Sequence, residues 1–139
     1  MRDNDADGYC SAAAGEVNVI YSTATTTGST LTDITGLAIR EDGFLIASDV
    51  NSNNMHRLSD SGIDGDANDA GEQPFFFISD STGVILGDSE SIAFAPGGAV
   101  VVMYVNPSSP TDSIFRLRDN NGNGFMSNPA EVNTFWGSA

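Results

Sequence analysis

The chain has no lysine, one histidine (His56) and one cysteine (Cys10), so the usual groups for nucleophilic and general-base catalysis are nearly missing. A single cysteine excludes an intrachain disulfide. Serines are plentiful, yet none sits in a Gly-x-Ser-x-Gly elbow. Positive charge is scarce: five arginines face 19 acidic residues, and the net charge is −14. A field of that sign repels nucleic acid and anionic membranes, which bind proteins by exchanging counterions for cationic side chains. No nucleic-acid partner and no membrane insertion are expected. The longest apolar runs, residues 75–78 and 99–105, are strand-length and far too short to cross a bilayer as helices. Met1 leads straight into Arg2 and Asp3 without the apolar stretch of a secretory signal, and the expectation is a piece of a longer chain.

What the chain has in quantity is aspartate, and it is placed periodically. One acidic phrase occurs three times: Arg2, Asp3, Asp5, Asp7, Gly8 and on to Glu16; Arg57, Asp60, Asp64, Gly65, Asp66 and on to Glu72; Arg116, Asp119, Asn121, Asn123, Gly124 and on to Glu131. Asp3 and Asp60 are 57 residues apart, and Asp60 and Asp119 are 59 apart. A fixed interval of this size marks a repeat architecture.

The similarity extends beyond the acidic phrase. Residues 37–39 and 43–47 (Leu-Ala-Ile, Gly-Phe-Leu-Ile-Ala) align with residues 92–94 and 98–102 (Ile-Ala-Phe, Gly-Ala-Val-Val-Val) at an offset of 55. Leu31 and Asp33 match Leu86 and Asp88 in that register, and Arg57-Leu58 matches Arg116-Leu117 at an offset of 59. The four added residues fall in the loop at 107–110, where insertion costs little.

Each period predicts four short strands: 36–39, 44–49, 55–58 and 74–78, then 91–94, 99–105, 113–117 and 133–136. These segments are rich in β-branched and aromatic residues, end at turns such as Pro96-Gly97-Gly98, and show no helical period. The second strand is apolar on both faces, as burial between stacked sheets requires. Residues 17–22 read as one more fourth strand. His56, opposite Phe115 in the alignment, is expected to be a packed strand residue. Phe75, Phe76, Phe77, Phe135 and Trp136 all fall on fourth strands, and part of these rings should pack between repeats.

Four antiparallel strands per period is the unit of a β-propeller. The predicted fold class is all-β: a β-propeller fragment of two four-stranded antiparallel blades plus part of a third. The boundaries are a partial blade at 1–30, a blade at 31–82 and a blade at 83–139. A single β-sandwich is the alternative, but it gives no reason for loop and strands to repeat together. The phrase from Gly36 through Gly43 and Asp49 to Asn53, followed by a strand ending Arg57-Leu58, resembles NHL-type and TolB-like propeller blades over residues 31–136.

That resemblance implies a ring, commonly six-bladed, which two blades cannot close alone. The expected partner is therefore either the remainder of a longer chain or further copies, three copies giving six blades. It also implies several functions. The first is a non-catalytic binding or scaffold module. The second is a fragment of a propeller enzyme, of sugar dehydrogenase or lactonase type, with its site in the central channel near Asp33, Asp88, Glu90 and the turn at 49–51. Carbohydrate recognition by exposed aromatics such as Trp136 is a third.

The acidic loops are candidate sites for Ca²⁺. Asp3-Asn4-Asp5-Ala6-Asp7-Gly8 resembles the loop of EF-hand and dockerin-like proteins, where alternate side chains converge and a later Glu binds bidentately. The candidate ligands are Asp3, Asp5, Asp7 and Glu16; Asp60, Asp64, Asp66 and Glu72, with Asp69 nearby; and Asp119, Asn121, Asn123 and Glu131. The late Glu lies one or two positions beyond the EF-hand spacing, and strands flank the loops where an EF-hand has helices. Gly62 leaves the second loop short of one ligand, and the two asparagines lower the charge of the third. The competing reading is a metal-free loop of Asx turns closed by side chain to backbone hydrogen bonds. Magnesium suits such loops less, because it retains waters in strict octahedra. Calcium loops of this kind favour an extracytoplasmic location.

Overall fold

The computed structural model describes residues 19–27, 30–40, 43, 45–78, 86, 89–105, 112–126 and 128–137. Within them the chain forms eight strands: β1 (Ile34–Ile39), β2 (Leu45–Asp49), β3 (Asn54–Leu58), β4 (Phe75–Phe77), β5 (Ser89–Phe94), β6 (Val100–Tyr104), β7 (Ser113–Leu117) and β8 (Val132–Gly137). They make two antiparallel four-stranded sheets, ordered β1-β2-β3-β4 and β5-β6-β7-β8. Among the described residues the one helical piece is a 3₁₀ turn, Pro129–Glu131. This turn lies outside the predicted strands, although Asn128, Pro129 and Glu131 spell an N-cap, a first-turn proline and a capping-box glutamate.

The two sheets repeat one another pair by pair. Leu45 faces Leu58 where Val100 faces Leu117, and Met55 faces Phe77 where Ile114 faces Trp136. Even the irregularities coincide: the register slips between Ile34 and Gly36 and between Ser89 and Ser91, and again between Met55 and His56 and between Ile114 and Phe115. The observed strands differ from the predicted ones by one or two residues at most ends. β1 and β5 each start two residues earlier, at Ile34 and Ser89. Residues 19–22, predicted to lie in an extra fourth strand, form no strand, though Ile20 O accepts the Ala67 N–H at 2.7 Å. The insertion loop at 107–110 lies outside the described residues.

The sheets stack face to face through a shared core. One side supplies Ala38, Ile46, Met55, Phe76 and Phe77, and the other Ile92, Val100, Val102, Leu117 and Met126. The innermost strands β1 and β5 approach across Gly36, where a side-chain carbon would stand 2.7 Å from Ser48 Oγ and 3.0 Å from Ile92. At the outer end Met126 N donates to Phe76 O (2.7 Å) and Ile78 N donates to Met126 O (3.2 Å). The acidic loop of the second sheet is thereby stitched to the last strand of the first. A smaller cluster of Leu31, Leu45, Ala47, Leu58 and Ala67, with Tyr21 against it, covers part of the other face of the first sheet.

The expectation of a second strand buried on both faces holds for β2, which is buried throughout. It fails for β6, where Val101 is half-buried and Met103 is 39% exposed. Nothing among the described residues covers that face of the second sheet.

Phe77, fully buried between the sheets, is expected to cost about 3–5 kcal/mol when replaced by alanine. Phe75→Ala, two positions away and 43% exposed, should cost about 1 kcal/mol. Urea unfolding of the two variants beside the parent checks the contrast.

Candidate functional site

Asp60 and Asp119 each open an acidic loop by accepting backbone amides five residues deep. Asp60 takes Asp64 N (3.1 Å) and Gly65 N (3.0 Å); Asp119 takes Gly122 N (2.6 Å), Asn123 N (3.3 Å) and Gly124 N (2.8 Å). Asp64, Asn121 and Asn123 then form Asx turns with the amides two residues on. These amides hold the Asp119 carboxyl below the usual aspartate value, Gly124 contributing most.

The late glutamates close the loops from inside. Glu72 Oε1 accepts Ser61 N (2.7 Å), Gly62 N (2.8 Å) and Ser61 Oγ (3.0 Å), while Oε2 accepts Asp69 N (3.1 Å). Glu131 repeats this with Asn120 N and Asn128 N, both at 3.2 Å. Each glutamate is only 1% exposed. Gly62, followed by the Asp69 and Ser61 donors, draws the Glu72 carboxyl below its ordinary range despite the opposing effect of burial. Both carboxylates bind backbone amides, an arrangement the Asx-turn reading describes.

Asp69 shows the opposite pressure. Asp64, then burial, then Glu72 and Asp66 push its carboxyl up, because like charges gather on this side of the loop. Yet among the described residues no three His, Cys, Asp or Glu side chains converge closely enough to form a ready metal cluster. Asp3, Asp5, Asp7 and Glu16 lie outside the described residues, as do Cys10 and Asp88.

One residue of the second loop is strained. Ile63 has φ 60°, where the third loop places Gly122 at φ 73°, and its side chain is 89% exposed. A β-branched residue there clashes with its own backbone. The sequence held the signal in the order Gly62-Ile63, reversed from Asn121-Gly122.

Loop two joins residues 19–27 as loop three joins β4. Asn68 O accepts Thr27 N (2.8 Å), Asn68 Oδ1 accepts Ser22 N (2.8 Å), and the buried Gln73 donates its amide to Ala67 O. No local sequence pattern marks Asn68 and Gln73, since a polar residue buried by tertiary contact leaves none. His56 is buried, with Nδ1 3.0 Å from Gln73 O and its ring 4.7 Å from that of Phe75. At the inner end the Asp49 carboxylate is buried and accepts Asp33 N (3.2 Å), which ties the start of β1 to the end of β2. That contact gives Asp49 a structural role.

No protein-family model matches the chain, and no curated protein does. Among solved structures it is similar to the PQQ-bound form of aldose sugar dehydrogenase from Streptomyces coelicolor, at 16% identity and a TM-score of 0.52. The match covers 84% of this chain and 34% of that one, so the chain spans about a third of that protein's length. Identity this low speaks to the fold alone, and the neighbour is a propeller. This chain folds as a β-propeller fragment. Its two sheets are successive blades; the third acidic loop bridges the second blade to β4, and the second acidic loop bridges the first blade to residues 19–27.

Ile63→Gly should stabilise the blade by about 1 kcal/mol, because glycine occupies the left-handed region without a Cβ clash. A melting curve in chelator measures this directly. Glu72 makes the acid side of the stability profile steep. Its folded pKa lies below the unfolded one, so its contribution is complete above about pH 4.5 and disappears as pH falls through the folded value. Glu72→Gln is expected to lower stability at pH 7 and to flatten that acid limb, read from urea midpoints between pH 3 and 7 in chelator.

Proposed function

We propose that the chain is a β-propeller segment acting as a non-catalytic binding or scaffold module, with acidic loops that take Ca²⁺. One observation carries this reading. The carboxylates of Asp49, Asp60, Glu72, Asp119 and Glu131 all accept backbone amides of the blade. Glu72 and Glu131 clamp the loops, Asp49 ties two strands, and His56 packs under β4.

Calcium enters as a brace for the same loops. In loop two Asp60, Asp64, Asp66 and Glu72 would supply oxygens, in loop three Asp119, Asn121, Asn123 and Glu131, and in loop one Asp3, Asp5, Asp7 and Glu16. The crowding that raises the Asp69 pKa supports this, since a divalent ion relieves repulsion among carboxylates. No cluster stands ready among the described residues, so an ion would gather its ligands as it binds. An extracellular setting, where calcium is abundant, suits loops of this type.

A second reading is a piece of a propeller enzyme working in the central channel, which the neighbouring aldose sugar dehydrogenase favours only through its fold.

Thermal melting after chelator treatment and then with added calcium tests the proposal. Free calcium at one hundred times Kd stabilises a one-site fold by about 2.7 kcal/mol, a clear rise in Tm. An unchanged Tm removes calcium from the account. Reduction of an artificial electron acceptor that depends on aldose and added PQQ would replace the scaffold reading with the enzymatic one.

A further inference from the structure

Loop three holds both asparagine-glycine pairs of this chain, Asn121-Gly122 and Asn123-Gly124, set end to end. Such pairs are prone to lose the side-chain amide. The backbone nitrogen after the asparagine closes a five-membered ring on the side-chain carbon, and glycine puts no side chain in the way. Both asparagines are exposed, and the glycines stand at φ 73° and 86°, where a side chain built on either would meet no atom within 4 Å. The asparagine Oδ1 atoms accept amides two residues on, Asn123 N at 2.9 Å and Phe125 N at 3.0 Å, which folds each side chain forward over its glycine. Asn120, by contrast, precedes no glycine, and its Nδ2 is fixed on Ala130 O at 3.1 Å.

We propose that Asn121 and Asn123 convert spontaneously to aspartyl residues and that Asp119 sets the rate. In the step, the glycine nitrogen gives its proton to water and bonds to the asparagine Cγ. The bond from Cγ to the side-chain nitrogen breaks, and that nitrogen takes up a proton and leaves as ammonia. One water then opens the ring imide. Opening at Cγ leaves a side-chain carboxylate, the ordinary aspartyl product. Opening at the main-chain carbon leaves the carboxylate there and runs the chain on through the side chain, as isoaspartate. Water is the sole co-reactant, nothing is oxidised or reduced, and each event adds one negative charge.

Loop two shows that the aspartyl product fits. Repeat register sets Asn123 opposite Asp64 and Gly124 opposite Gly65. Asp64 Oδ1 accepts Asp66 N at 3.3 Å as Asn123 Oδ1 accepts Phe125 N. Gly65 N donates to Asp60 at 3.0 Å as Gly124 N donates to Asp119 at 2.8 Å. Among the described residues the side chains of Asn121 and Asn123 bond only through oxygen, so exchanging Nδ2 for oxygen breaks no bond of the loop. Conversion brings to loop three the carboxylates that loop one carries at Asp5 and Asp7. The isoaspartyl product instead lengthens the backbone inside the arch that Asp119 closes.

Asp119 is the brake. Its two oxygens take Gly122 N at 2.6 Å and Gly124 N at 2.8 Å, the same two nitrogens that attack. Attack requires the N–H proton to leave. A carboxylate on that proton holds it in place and repels the negative charge left behind. The closed loop therefore converts slowly and the opened loop fast, and no bound cation is needed for either.

The test is peptide-mapping mass spectrometry of the full chain, kept in chelator at mildly alkaline pH and sampled over days. Asp119→Asn is run alongside, with circular dichroism to confirm its fold. The expected result is a one-dalton gain confined to residues 121 and 123, with isoaspartate among the products. Conversion should be about tenfold faster in Asp119→Asn, the factor that one charge-assisted hydrogen bond supplies. In urea the two chains should convert at the same rate. If Asp119→Asn fails to fold, the parent in urea against the parent in buffer makes the same comparison. No gain at 121 or 123, an earlier gain at another asparagine, or a rate left unchanged or lowered by Asp119→Asn or by unfolding would each overturn the proposal.

Discussion

The fold depends on a buried carboxylate that cannot be left unsatisfied. Glu131, and Glu72 in the preceding blade, sit at 1% exposure with their oxygens saturated chiefly by loop amides. A charge taken out of water is tolerated only with such partners, and these partners are all within a dozen residues. The loop must therefore curl tightly around the glutamate. That curl presents Met126 to the outer strand of the blade before it, and Ala67 to Ile20. A local electrostatic requirement thus becomes a long-range joint.

The joint explains the uneven burial of two nearly identical sheets. β2 is buried on both faces because a blade lies on one side and residues 19–27 reach the other. β6 has the same apolar pattern and the same register, yet one of its faces is open. Neither propensity nor patterning distinguishes the two strands. Position in the stack does, since burial comes from neighbours and the second sheet has one fewer among the described residues.

The function proposed here follows from where the polar groups point their chemistry. A catalytic constellation leaves some groups unsatisfied and convergent on open space. Here Asp49, Glu72, Glu131 and His56 instead face backbone groups and packed rings. Similarity at 16% identity to a sugar dehydrogenase bears on the fold alone, because blades of one geometry serve many tasks and the task resides in the loops grafted on them.

Much of this was legible in the residues. The period, the four strands per unit, the alignment of Leu45 with Val100 and of Arg57 with Arg116, and the loop positions of Asp60 and Asp119 are all local patterns. Strand periodicity and turn chemistry write them directly into the chain. The strained φ of Ile63 and the 3₁₀ turn after Asn128 were also written there, and needed comparison between loop copies to be seen. The pairing of Glu72 with Ser61 and Asp69, the burial of Asn68 and Gln73, and the contrast between buried Phe77 and exposed Trp136 were decided only in three dimensions. Each depends on which segment lies against which, and a side chain carries the same local signature whether or not another blade happens to cover it.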